Sequence, residues 1–174
     1  MDDKRESMEK TLEEREELEL GVEFEEESIQ FVIVTLAEQW CAFYGSAVTS
    51  IATVETITPI PGTPDYLLGV MYYQGRVESV LDIKSILGIR DSAITGKSRV
   101  AITLSGEVQS GILVDTVEDV VDLPERKIFA PLHTMEQAKK EFVTGEIEYR
   151  ERNVVILDLA KIFERVLEQE DRGA

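Results

Sequence analysis

Along most of the chain, apolar residues recur at the two-residue period of half-buried strands. Only near the C-terminus does the period lengthen to that of a helix. Residues 30–36 are β-branched and apolar, Glu38-Gln39 makes a turn, and residues 40–44 return as a second strand. Residues 46–50 read as a short helical connection, and residues 51–60 as a third strand ended by Pro59 and Pro61. Pro61, Gly62 and Pro64 set a rigid turn. Beyond it Val70 and Tyr72, with Val77 across a turn at Gln74-Gly75, alternate with more polar positions as in a half-buried hairpin. Residues 79–83 then turn largely apolar through Val80, Leu81 and Ile83, and residues 84–87 form a helical turn closed by Gly88. A polar link, 91–97, leads to a hairpin of 99–104 and 108–114 around Ser105-Gly106, and to a strand at 116–123 stopped by Pro124. A helix is expected from Thr134, as N-cap, to Lys140, followed by strands at 142–149 and 153–157. Asp158 then opens an amphipathic helix with Leu159, Ile162, Phe163, Val166 and Leu167 on one face.

Four blocks recur in the same order in the two halves. Residues 32–36 resemble 100–104, and 53–57 resemble 116–120; 69–83 align without a gap on 145–159, and 84–87 on 160–163. Four matches in register indicate two copies of one small β-unit. Many short strands with tight turns point to barrels or sandwiches, and closing each unit into a barrel protects its edges.

The spaced residues Pro61, Gly62, Pro64, Leu67, Gly69, Val70, Gly75, Val77, Val80, Asp82 and Ile83 resemble the signature of the CheW-like domain, the coupling module of bacterial and archaeal chemotaxis. The resemblance extends over about residues 30–167. It departs where Tyr72-Tyr73-Gln74 replaces the family's Asn-Leu-Arg, and where Ser79 replaces a proline. The resemblance implies a mainly β protein of two SH3-like five-stranded β-barrel subdomains, related by the internal pseudo-repeat, with a C-terminal helix. The CheW-like domain would span residues 29–174, with one subdomain at about 36–92 and the other at about 97–158. The N-terminal strand and C-terminal helix would complete their packing. It further implies a cytoplasmic, non-catalytic adaptor without cofactor or metal, associated with membrane receptor arrays through its partners. Those are the regulatory domain of the histidine kinase CheA, packed on the first barrel, and the hairpin tip of a methyl-accepting chemotaxis protein, held between the barrels. Carried over by position, Val54, Glu55, Gly69, Tyr72, Gln74, Gly75 and Arg76 would face partners, Arg76 supplying the charge that Gln74 lacks. Two alternatives remain open at this point. One is a divergent scaffold of a non-chemotaxis kinase pathway; the other is a small ligand-binding or enzymatic β-barrel, which a bound small molecule or buried polar pocket would favour.

Charge and chemistry narrow the partners. The formal net charge is −17, of which residues 1–28 carry −9, so this segment is expected to be an acidic, disordered tail. A partner-induced helix near residues 8–20 is the alternative. Such a charge repels nucleic acid and anionic lipid, and both are excluded as partners. No apolar run approaches the length of about 18 needed to span a bilayer, and the N-terminus lacks a signal peptide, so a soluble protein without membrane insertion is expected. With one cysteine and one histidine, a zinc site lacks ligands, and a Ser-His-Asp triad would have only His133, which reads as an exposed structural residue. Cys41 reads as a small buried hydrophobe without a disulfide partner, as in a reducing cytosol. No glycine-rich loop opens a helix, which removes phosphate-cradle chemistry. Asp82 and Asp158 read as caps and not as a catalytic pair; Asp115, Glu118 and Asp119 read as a solvated strand edge and not as a cation site. Because Tyr72 and Tyr73 are consecutive in one strand, one must face away from the core as an interface residue. Tyr66 is a core candidate.

Overall fold

In the computed structural model, described for residues 10–12 and 26–173, the strands in chain order are β1 (Ser28–Leu36), β2 (Gln39–Tyr44), β3 (Val48–Thr53), β4 (Leu67–Tyr73), β5 (Arg76–Leu81), β6 (Arg99–Ser105), β7 (Val108–Val114), β8 (Thr116–Pro124), β9 (Ile128–Phe129), β10 (Val143–Tyr149) and β11 (Arg152–Leu157). Residues 10–12 are helical, and among residues 26–173 the helices are α1 (Gln137–Lys140) and α2 (Leu159–Gly173). One six-stranded sheet has the order β8-β1-β2-β11-β10-β9, and a five-stranded sheet has the order β3-β6-β7-β5-β4. Each sheet curls on itself. Thr58, just beyond β3, bridges to Val70 of β4 in both directions at 2.8 and 2.9 Å. In the other sheet β9, reached from β8 through a 3-10 turn at Glu125–Lys127, pairs with β10 through Phe129 and Ile128. Most of the acidic tail expected over residues 1–28 lies outside the described residues.

Several expected boundaries move. The connection at 46–50 is a 3-10 turn, Gly45–Ala47, running directly into β3, and the strand expected over 51–60 ends at Thr53. The first turn falls at Ala37-Glu38, both with positive φ. The helix expected from Thr134 shrinks to the four residues of α1, whose N-cap is Glu136 without a side-chain cap bond. The subdomain limits of about 36–92 and 97–158 cut across both sheets. Hairpin β1–β2 pairs with β8 and β11, while β6–β7 pairs with β3 and β5, so each half of the chain lends a hairpin to the other half's barrel.

The pairing also fixes which residues are equivalent. Gly69 lies opposite Val80 as Gly145 lies opposite Ile156, each beside a register shift, so the gapless match of 69–83 on 145–159 holds in space. The two earlier blocks are displaced. Ala52 faces Val100 as Val121 faces Phe31, and the bulge at Thr49 corresponds to the bulge at Glu118. Phe31, not Val32, therefore matches Val100, and β3 matches 117–122, not 116–120 taken from Thr53. A one-residue slip exchanges the two faces of a strand. Because β1 and β6 are buried on both faces along most of their length, their apolar runs carry no phase from which the sequence can read that register.

The interior divides in three. Phe31, Ile33, Ala42, Ile147, Val154 and Ile156 fill one barrel, and Ala52, Met71, Val80, Val100, Ile102 and Leu113 fill the other. The largest cluster joins them: Val34 and Phe43 of one sheet meet Leu81, Ile112 and Val114 of the other, with Ile162, Phe163 and Val166 of α2. Asp158 Oδ1 accepts the Lys161 N–H at 3.1 Å, and Asp82 Oδ1 accepts that of Lys84 at 3.1 Å, the two capping roles expected. Lys84 is buried, its ammonium 2.9 Å from Asp82 Oδ2; Ala160 holds the equivalent place in the other barrel.

Candidate functional site

The β4–β5 hairpin is positioned from both ends. At its base Gly69 has φ +142°, and a Cβ there would lie 2.1 Å from the Thr58 carbonyl oxygen, so only glycine allows the bridge between Thr58 and Val70. At its tip Gln74 and Gly75 both have positive φ, +46° and +81°, the geometry of a type I′ turn. The turn fixes the phase of the whole hairpin. Met71 and Val80 point into the barrel, whereas Tyr72 and Val77, opposite one another, are 67 % and 68 % exposed. This reverses the inward phase that alternation gives Val77, which forms an apolar pair on the outside with Tyr72.

The remaining candidate residues separate by face. Arg76 lies opposite Tyr73, not beside Tyr72, because Gln74 and Gly75 are consumed by the turn; it rims the mouth of the barrel. Gln74 donates its amide to the Tyr73 hydroxyl at 2.9 Å on that side. Tyr73 and Val54 are partly buried against the same barrel core, Glu55 is exposed, and Gly69 is buried at the bulge, where its place is structural. Ser79, in the family's proline position, bonds Ser110 across to β7 at 2.8 Å. Tyr66 belongs to the shared core and donates its hydroxyl to the Val166 carbonyl at 3.2 Å.

Sequence reasoning missed Val77 as the outward partner of Tyr72, and it missed Glu78. That carboxylate is 6 % exposed, pointing into the barrel mouth, with Gln109 Nε2 donating to its Oε1 at 2.5 Å. Its signal was conditional: only once Val80 is known to face inward does Glu78 share the inward face. The acids suspected as a strand edge take separate duties. Asp115 accepts the Ala37 N–H at 2.6 Å and the Ser92 hydroxyl at 2.8 Å, while Asp119 accepts the Tyr149 hydroxyl. That bond, above all, holds the Asp119 carboxyl below its ordinary value and pushes the Tyr149 phenol up. Among the described residues no group of three or more His, Cys, Asp or Glu could hold a metal ion, and no helix is long and apolar enough to cross a membrane.

Two curled β-units related by a repeat, with one helix buried at their junction and an exposed apolar pair on a hairpin, define a small β scaffold. The family model described as "CheW-like domain" matches residues 30–167, and the chain belongs to that family. Among its relatives, the chemotaxis protein CheW of Thermotoga maritima is 28% identical over 133 residues, 76% of this chain and 86% of the relative. The chemotaxis protein CheW of Rhizobium meliloti is 26% identical over 117 residues, 67% of this chain and 76% of the relative. The crystal structure of the scaffolding protein TtCheW from Thermoanaerobacter tengcongensis superposes with a TM-score of 0.71 at 26% identity, covering 79% of this chain and 88% of that one.

Proposed function

We propose that this chain is a non-catalytic cytoplasmic adaptor that couples a methyl-accepting chemotaxis protein to the histidine kinase CheA, and that the outer face of the β4–β5 hairpin docks one of them. The single observation that carries this reading is the Tyr72–Val77 pair, two large apolar side chains left in water on a hairpin of a protein in the CheW-like domain family. An exposed tyrosine held rigid by a paired strand is a preferred anchor, because it contributes a large contact area and has little rotamer freedom to lose. Glu55, Gln74 and Gly75 border the docked surface. Arg76, on the opposite face, contributes from the barrel mouth, in place of a family arginine at Gln74.

The test is calorimetric titration against the kinase regulatory domain and a receptor hairpin from the same genome. Tyr72→Ala and Val77→Asp are expected to weaken binding of one partner at least tenfold, about 1.4 kcal/mol or more. Melting temperature should stay within a degree or two, since both side chains are exposed in the free protein. Unchanged affinity for both partners would reject this surface.

A further inference from the structure

The two barrels differ at one equivalent place, their mouths. In the six-stranded unit Trp40 closes the mouth: its ring lies 6.3 Å from that of Tyr149, and the Arg152 guanidinium stacks 4.8 Å above it. Beneath them the floor is Val154, fully buried. The β-pairing gives each a counterpart in the five-stranded unit. Trp40 faces Thr35 as Gln109 faces Leu104, while Tyr149 and Arg152 face one another as Tyr73 and Arg76 do, and Val154 corresponds to Glu78. The plug has thus become a glutamine and the apolar floor a glutamate. What results is a pocket of about 220 Å³ lined by Tyr73, Gln74, Arg76, Glu78 and Gln109, with Thr49 and Ser50 across from them.

Glu78 is nine-tenths buried, and among the described residues it has no ion-pair partner; its one side-chain donor is the neutral amide of Gln109. Arg76, two residues away on the rim, forms no salt bridge with it. A carboxylate withdrawn from water without a cation is costly to hold, and a cation entering from outside would offset that cost with charge-assisted hydrogen bonds. Barrel mouths are recurrent ligand sites for the same geometric reason: they are concave and preformed.

We propose that this mouth receives a single guanidinium or ammonium group, presented as an arginine or lysine side chain by the protein that docks on the β4–β5 hairpin. The identity of that source rests on the docking function proposed above. Gln74 of the hairpin's turn and Arg76, the first residue after it, line the pocket, so the opening lies at the tip of the docking element. Glu78 binds the cation, Gln109 orients the carboxylate, and the Tyr73 ring walls the channel. The absence of a tryptophan plug is what keeps the channel open.

The test uses the full chain and two variants. Glu78→Gln keeps the shape and removes the charge; Gln109→Trp restores the plug of the other barrel. Amide and side-chain NMR shifts are followed on adding methylguanidinium chloride at constant ionic strength, with the retained spectrum and melting temperature reporting the fold of each variant. Expected are saturable shifts at the Gln109 side chain in the wild type, at least tenfold weaker in Glu78→Gln and absent in Gln109→Trp. Equal shifts in wild type and Glu78→Gln would overturn the site. Titration against the kinase regulatory domain and the receptor hairpin then identifies the source. Glu78→Gln should lower the affinity for one of them at least tenfold while leaving the other unchanged. If methylguanidinium binding depends on Glu78 but both partners bind Glu78→Gln as they bind wild type, the partner-borne side chain is refuted and the pocket takes a free cation. If wild type binds neither partner, the docking function itself fails, a result distinct from the other two.

Discussion

Burial pushes the Cys41 thiol up to about 12 from its ordinary 9.0, because the thiolate would have to form among apolar neighbours such as Val34 and Phe43. Two consequences follow for this residue. In the native protein Cys41 should resist iodoacetamide at pH 8, reacting only as fast as the chain opens; rapid alkylation without unfolding would contradict the packing. A raised folded-state value also stabilises the native state only while the thiol is protonated. That contribution is complete below pH 9 and is lost as pH rises from there toward 12. Cys41 was legible as a buried hydrophobe from its apolar run alone. Glu78 was not, since a single glutamate between apolar residues reads as the solvent side of a strand until its neighbours' phase is known. Val77 failed for the same reason: an apolar residue in a strand pattern is assigned inward by default, and only the turn at Gln74-Gly75 places it outside beside Tyr72.

The hairpins and α2 show how much an element owes to its own residues. Gln74-Gly75 is a plain signal for a type I′ turn, but Arg150-Glu151 and Ala37-Glu38 adopt positive φ at both positions without glycine. Their strands, paired on further sides, hold the backbone there, so these turns are set by the sheet and not by local preference. α2 is the opposite case. Its cap at Asp158 and its apolar face were visible in the sequence; of the five residues expected there, Leu159, Ile162, Phe163 and Val166 are buried in the core between the barrels, whereas Leu167 is exposed. Phe163→Ala should therefore cost about 3 to 5 kcal/mol, the range for truncating a buried aromatic. Urea unfolding should show the midpoint falling with an unchanged slope. A loss under 1 kcal/mol would mean that the helix is not part of the joint core. By contrast α1, four residues long with no side-chain cap, had only a local signal at Thr134.

At the scale of the molecule the two barrels cannot be separated by cutting the chain in the middle. The five-stranded sheet takes β3, β4 and β5 from the first half and β6 and β7 from the second; the six-stranded sheet takes β1 and β2 from the first half. Residues 1–92 and 93–174 expressed alone should each give poorly dispersed NMR spectra, and mixing them should restore the dispersed spectrum of the whole chain. A well-folded isolated half would refute the exchange of hairpins. By itself the sequence determined a mainly β protein, the repeat of 69–83 in 145–159 and the C-terminal helix with its cap, since each is read from the pattern within one continuous segment or from comparing two such segments. It also held the family signature around Gly69, where one glycine is required by one close contact. Only the tertiary structure decided which hairpin joins which sheet, the register of β1 on β8 and of β3 on β6, and hence which side chains face water on the docking hairpin. Strand pairing between distant segments depends on matching two apolar faces, and a strand buried on both faces presents no phase to match until its partners are in place.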